Sequence, residues 1–431
     1  MDEALFSAGA GAGRGGELTR RVFLQLTGAA VVGTGAVALA ERPWPASSTK
    51  TIRLGVVGGG FGATFWWHEH PRCKVTGVTD LREDRRRRLR QRYRCDAVYD
   101  SLETMVKEAK DIDAVAVFSG APDHARHVKV CMDRGWHVVS AVPACISLEE
   151  AAMLKEVKEK TGLHYMMAES SYYRQECIFA REFYRQGGFG ELFYSEVEYY
   201  HDSVCLSTSK LSYEPDGSHS WRYGYPPMLY PTHCTGYLVG VTGERVTKVS
   251  CLGWHGEKPR EAGEPTIAGN VYGNRFWCQS ALMLTDRGHM CRCNVFWRCV
   301  AGGERAQWFG DKASLYMPLG GIHGAIEHDR GQRPRSIEVP QYWKTSPMIP
   351  EPMRHASGHG GSAVFITAEF INALVEDRQP ECHLYDALAM TVPGIVAHQS
   401  AFRDGEQLEV PQFDNPDAPR SGPGEPATDR G

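Results

Sequence analysis

A short apolar run rich in β-branched residues, Thr51 to Val57, leads straight into Gly58-Gly59-Gly60-Phe61-Gly62-Ala63. That junction constrains the fold more than any other feature of the chain. The run has the length and composition of a buried parallel strand. Read as G-x-G-x-x-A, the turn needs Gly58 for its tight bend and Gly60 for close approach of backbone to a diphosphate. Ala63 is small enough for a helix to pack on the strand. The helix expected to follow would turn its free amides towards the phosphates. A second strand, Cys73 to Thr79, ends at Asp80, 22 residues after Gly58. An acid there accepts hydrogen bonds from both hydroxyls of an adenosine ribose, which favours NAD over NADP. The competing role for Asp80 is as a helix cap. Arg85 to Arg88, Arg90 and Arg92 read as a solvated helix face. Arg82 or Arg85 lying over the adenine or a 2′-phosphate would keep NADP open.

The alternation continues with strands at Ala114 to Phe118, His137 to Ser140 and His164 to Ala168. Helices at Ala125 to Arg134 and Leu148 to Lys160 separate them, which predicts an α/β, doubly wound Rossmann domain over residues 51–172. Ligands sit beyond the carboxyl ends of such strands. The candidate cofactor-binding residues are therefore Gly58, Gly60, Phe61, Gly62, Asp80, Ala121, Pro122, His124, Val142, Pro143 and Glu169.

Before this domain, Thr19-Arg20-Arg21-Val22-Phe23-Leu24-Gln25 precedes a Gly- and Ala-rich apolar stretch closing on Ala38-Leu39-Ala40. Twin arginines before a short apolar segment with an A-x-A site read as a Tat export signal over residues 1–40, with a linker at 41–50. A periplasmic or extracellular location follows as an expectation. The thirteen cysteines are odd in number and scattered, unlike a disulfide scaffold. They fit a protein folded in a reducing compartment before export. Cys291 and Cys293 share a face of any strand, but nearby ligand spacing is lacking and no metal site is expected. A net charge of −4 gives no basic footprint for nucleic acid, and no apolar stretch is long enough for a membrane span. The tail, residues 412–431, is rich in Pro, Gly and Asp and reads as disordered.

Beyond the glycine loop, Ala121-Pro122-Asp123-His124, Gly135-Trp136-His137-Val138-Val139, His359-Gly360-Gly361-Ser362 and Gly405-Glu406-Gln407-Leu408-Glu409-Val410-Pro411 stand out. In these segments residues 51–411 resemble the Gfo/Idh/MocA family of sugar oxidoreductases. The resemblance implies a second, α+β domain at 173–411 with an open, mostly antiparallel sheet that carries the substrate. Family members often pair through that sheet, so a homodimer or homotetramer is expected. Two departures matter. Ala141-Val142-Pro143 stands where family dehydrogenases have Glu-Lys-Pro, so their catalytic lysine is missing. Leu229 stands where an Asp four residues before the catalytic His is usual. Tyr172-Tyr173 after Glu169, Tyr200-His201-Asp202, Leu229-Tyr230-Pro231-Thr232-His233 and Gly358-His359-Gly360-Gly361 are similar to a narrower branch, the NAD-dependent α-N-acetylgalactosaminidases and related redox-assisted glycosidases. That similarity implies catalytic roles for Tyr230, His233 and Tyr173.

The residues support part of this independently. Tyr230 and His233 are spaced i, i+3, which places them on one face of a helical turn. A Tyr–His pair can share a proton above a sugar carbon. Tyr173 either reaches the same place or packs with Tyr172. His201, Asp202, Trp221 and His359 are candidate substrate contacts, and the many aromatics between Trp221 and Trp308 suit either carbohydrate stacking or a packed core. An exported enzyme has no soluble NAD pool to recycle a hydride, so tightly bound NAD and no net redox change are expected. Glycoside cleavage by oxidation, elimination, water addition and re-reduction meets that condition. Alternating sugar oxidation and reduction meets it too, and a non-catalytic sugar- or nucleotide-binding protein is the third reading.

Overall fold

The computed structural model describes residues 42–201, 212–256, 267–319 and 322–415. The expected signal, Asp202 and the tail beyond residue 415 lie outside the described residues. The first sheet is parallel throughout, in the order β3-β2-β1-β4-β5-β6. Its strands are β1 (Ile52–Val57), β2 (Cys73–Thr79), β3 (Val98–Tyr99), β4 (Ala114–Val117), β5 (His137–Ser140) and β6 (Tyr165–Met167). Helices α1 (Glu83–Tyr93), α2 (Leu102–Glu108), α3 (His124–Asp133) and α4 (Leu148–Thr161) connect them. Strands buried on both faces need apolar residues throughout, and β4 is buried along its whole length. The strand order reverses between β1 and β4, which opens a crevice beyond their carboxyl ends.

One expectation fails at the first crossover. No helix follows the glycine loop; the segment makes two single 3-10 turns, Gly62–Thr64 and Trp67–Glu69. Phe65 and Trp67 are drawn into an aromatic core, with Phe65 stacked on Trp67 at 5.7 Å and on Phe118 at 4.6 Å. Tyr93 Oη donates to the Gly62 and Phe65 carbonyls, acceptors that a helix would need for itself. Pro71 then bars helix from running into β2. The Arg-rich face of α1 is solvated as read, while Leu89 and Tyr93 are its buried residues.

The second sheet has nine strands in the order β14-β13-β12-β11-β7-β10-β9-β8-β15. These are β7 (Leu192–His201), β8 (Val246–Trp254), β9 (Cys278–Thr285), β10 (Met290–Phe296), β11 (Gly302–Gly310), β12 (Ala313–Tyr316), β13 (Ala325–Asp329), β14 (Arg335–Ile337) and β15 (Leu408–Glu409). Every pairing is antiparallel except β7 with β10. The sheet is thus open and mostly antiparallel, as expected. Helix α5 (Gln175–Arg185) packs on α6 (Thr232–Thr242), which packs in turn on β7, β10 and β11 at the inner face of the sheet and is buried along its entire length. Cys291 and Cys293 are both buried on that face of β10, and each described cysteine is a free thiol.

After the short helix α7 (Tyr342–Thr345), the long helices α8 (Ser362–Glu376) and α9 (Leu384–Phe402) return to the first sheet. Helix α8 packs on β1, Phe370 meets Trp67 edge-on at 6.3 Å, and Asn372 Oδ1 lies 3.1 Å from His70 Nε2. The expected disordered tail begins too early. Gln412 Nε2 donates to the Val246 carbonyl, and Asp414 pairs with the buried Arg245, so order extends at least to Asn415. No helix among the described residues is long and apolar enough to cross a membrane.

Candidate active site

The glycine loop is shaped by what a side chain would hit. Gly58 sits at φ +97°, and a Cβ there would collide with the Phe118 carbonyl. At Gly59 a Cβ would collide with the Arg85 carbonyl, and its N–H donates to Asp80 Oδ2 at 2.6 Å. Asp80 Oδ1 accepts the Arg82 N–H at 2.8 Å. Asp80 therefore ties the glycine loop to the turn that precedes α1, whose N-cap is Arg82. At Gly60 a Cβ would find nothing closer than the end of Arg85, at 3.7 Å. This leaves a cradle open to a diphosphate, and the loop fits a dinucleotide. Phe61 stands exposed over the loop, edge-on to Phe65, Phe118 and His359.

Several candidate cofactor residues sit behind that surface. Ala121 and Pro122 form the turn after β4, with Ala121 buried. His124 is buried, with Nδ1 2.7 Å from the Pro143 carbonyl and Nε2 3.0 Å from that of Ser119. It braces the loops after β4 and β5, while Val142 and Pro143 are themselves buried. Glu169 has no exposed surface, and one of its oxygens serves a partner within the protein.

That partner is His233. Tyr230 follows the turn Pro227–Leu229, Pro231 caps α6, and the rings of Tyr230 and His233 stand 5.3 Å apart. His233 Nδ1 is 2.8 Å from Glu169 Oε1, which also accepts the Ser171 N–H at 2.8 Å. Burial opposes the imidazolium, yet the charges of Glu169 and Glu304 raise its pKa above the ordinary histidine value. Burial likewise opposes the Glu169 carboxylate, but His233 holds its pKa below the usual range. Tyr230 is raised by burial and drawn back by the neighbouring Arg222 guanidinium.

Around this pair lie residues that the sequence reading missed. Tyr199 stands on the inner face of β7, its ring 4.8 Å from His233 and 6.1 Å from Tyr230. Strand alternation could have found it, because Tyr199 shares a face with His201. Glu304, on β11 directly opposite Tyr199, accepts from Ser171 Oγ at 2.6 Å, Arg174 Nη2 at 2.7 Å and Tyr237 Oη at 2.9 Å. Nothing local marks it. Arg222 lies 4.3 Å above the Trp221 ring.

The remaining candidates divide. His201 contacts Tyr199 and Trp297, and Trp297 meets Tyr230 at 6.1 Å, so His201 stands at the rim. Trp221 leans on Gly120 and meets Tyr225 edge-on. His359, at φ +56°, reaches from the second domain to Phe61 at 5.5 Å. Its pKa is lowered by burial, then by His233 and Arg174. Tyr173 does not join the site. It is buried, stacked on Phe365 at 5.9 Å, and its hydroxyl has no partner. The charges nearest it are Glu369 and Glu381, so of its two readings the packing one fits.

Residues 52–169 match the Gfo/Idh/MocA oxidoreductase family, NAD-binding Rossmann fold, and residues 342–417 match the glycosyl hydrolase 109 C-terminal domain. A glycosyl hydrolase family 109 protein of Solibacter usitatus is 24% identical over 92% of this chain and 97% of its own length. One from Streptomyces coelicolor is 23% identical over 86% and 84%. Among solved structures, an oxidoreductase domain protein from Kribbella flavida superposes with a TM-score of 0.69 at 16% identity, over 84% of this chain and 100% of the other. An inositol dehydrogenase homologue from Azotobacter vinelandii, complexed with NADH and myo-inositol, gives 0.65 at 18% identity, over 84% and 98%. Residues 52–169 are thus an NAD-binding Rossmann domain of the Gfo/Idh/MocA type. More particularly, residues 342–417 are similar to the C-terminal domain of glycosyl hydrolase 109, in line with the resemblance read from the motifs.

Proposed function

We propose that this protein is an NAD-dependent glycosidase that cleaves a carbohydrate substrate with no net redox change. One observation carries the reading. The two carboxylates nearest Tyr230 and His233 are enclosed: Glu304 accepts from Ser171, Arg174 and Tyr237, and Glu169, with no exposed surface, is held through Oε1 by His233 and Ser171. Neither is free to act as the acid or nucleophile of an ordinary carboxylate-pair glycosidase. The acid–base groups left at the site are Tyr230 and His233.

The loop of Gly58, Gly60, Phe61 and Gly62, with Asp80, would hold NAD, which supplies reversible hydride acceptance at a sugar carbon and so acidifies the adjacent C–H. Arg222 and Tyr199 orient Tyr230. His233, fixed through Nδ1 by Glu169, turns Nε2 outward to take or return a proton near neutral pH. Trp221, His201 and His359 border the substrate space. Val142, in the place of the family's lysine, leaves none for the dehydrogenase chemistry of the resembling family.

The test is a panel of aryl glycosides given to the protein as purified, without added NAD. Phenol release without net NADH, together with exchange of the C2 proton in D₂O, is expected. Release with that proton fully retained overturns elimination, and stoichiometric NADH points to a simple dehydrogenase.

We further propose Tat export to the periplasm or beyond, supported by the Arg20-Arg21 motif and the buried thiols. Secretion abolished by replacing both arginines with lysine would bear this out. The outer face of the second sheet exposes Phe193, Leu252, Leu282 and Met290, which supports a homodimer or homotetramer, measurable by light scattering.

A further inference from the structure

Glu304 is placed with unusual care for a residue that the proposed chemistry does not use. It lies on the inner face of the open sheet, its side chain 6% exposed, opposite Tyr199 in the register of β7 and β11. Its carboxylate takes three donors: the Ser171 hydroxyl, the Tyr237 hydroxyl and the Arg174 guanidinium.

Ser171 sits between two acids. Its N–H donates to Glu169 and its hydroxyl to Glu304. That hydroxyl has one proton and three acceptors within reach: Glu304 Oε2 at 2.6 Å, His233 Nδ1 at 3.3 Å and the His233 carbonyl at 3.3 Å. The near, charged acceptor wins. The oxygen lone pairs of Ser171 are then left facing His233 Nδ1, which must carry the hydrogen, as its bond to Glu169 also requires.

We propose that Glu304 is a positioning residue for His233: it captures the Ser171 proton and neutralises Arg174, so that His233 keeps Nδ1–H and offers Nε2 to the substrate. The inference rests on His233 being the acid–base group. The groups facing His233 are Glu169 after β6, Glu304 on β11, Arg174 at the start of α5, Tyr199 on β7, Tyr230 on its own turn and His359 from the loop before α8. Among them Arg174 is the fixed cation, and Glu304 is the carboxylate paired to it at 2.7 Å. Losing Glu304 would remove one negative charge and leave a positive one uncovered, and both changes disfavour the imidazolium.

The experiment is an NMR titration of the His233 ring in the full-length protein, alongside the pH profile of phenol release. Glu304→Gln should lower the His233 proton affinity about tenfold, one pH unit. Glu304→Asp should keep it near the wild-type value, and Arg174→Met should raise it. A role confined to packing would lower thermal stability in all three and move no titration. An unmoved titration in a folded Glu304→Gln protein overturns the proposal. If that variant does not fold, Arg174→Met decides, because an unchanged or lowered value overturns the proposal equally. NADH binding by fluorescence reports folding in each case. Failure of the reading it rests on looks different: the wild-type protein would form stoichiometric NADH or release no phenol, or His233→Ala would release it at the wild-type rate, whatever the titrations show.

Discussion

Replacing Glu169 with glutamine should destabilise the protein by an amount that depends on pH in a defined way. In the native protein the Glu169 carboxyl is held below its ordinary value of 4.5 and His233 above its ordinary value of 6.5. The carboxylate contributes fully above its unfolded value and loses its contribution as pH falls through the lower folded one. The imidazolium contributes fully below its unfolded value and loses its contribution as pH rises through the higher folded one. The pair is therefore strongest between these ordinary values. There the glutamine variant leaves a buried imidazolium without its partner, at a cost of about 3 kcal/mol. For about 350 described residues, the unfolding entropy of roughly 0.7 kcal/mol per degree turns that into about 4 °C of Tm. Well above the folded value of His233 the ring is neutral, and the variant only exchanges its N–H bond to the carboxylate for one to a neutral amide, a difference of about 1 kcal/mol or about 1 °C. Thermal melts of both proteins from pH 5.5 to pH 9.5 measure the difference. A gap that stays constant across this range, or widens with pH, would refute the reasoning.

Gly58→Ala should abolish dinucleotide binding in a fluorescence titration with NADH, because the new methyl group meets the Phe118 carbonyl at a left-handed φ. Tyr173→Phe should leave phenol release within about twofold and Tm unchanged or higher, since it removes a buried hydroxyl with no partner; a large loss of turnover would return Tyr173 to the catalytic set. Asp414→Ala should lower Tm by about 2 °C, as the buried Arg245 keeps only Asp386, and an unchanged melt would show that the last described residues contribute nothing.

The sequence shows most plainly those features whose physics is local. Strands β1, β2 and β5 follow from apolar runs, and Gly58 and Asp80 from the needs of a turn and a strand end. The pair Tyr230–His233 is visible in its spacing. Glu304 is not, because its meaning comes from the register of β11 on β7, which brings it opposite Tyr199. Glu169 is visible only as a polar residue at a strand end, and the partner it serves lies 64 positions away. The absent helix after Gly62 was hidden for a related reason. Nothing within that segment reveals that Tyr93 takes its carbonyls, or that Phe65 and Trp67 are needed in a core completed from elsewhere.

That missing helix also bears on how the protein is made. The flank of β1 that a first-crossover helix would shield is packed instead by α8, some three hundred positions downstream. Such distant closure slows folding, since a long loop must be closed before the contact stabilises anything. During synthesis the opening strand pair β1–β2 must wait, with Trp67 unshielded by Phe370, until the ribosome has nearly finished. The N-terminal half expressed by itself would leave that flank of β1 and Trp67 uncovered, so the two halves succeed or fail as one translation product.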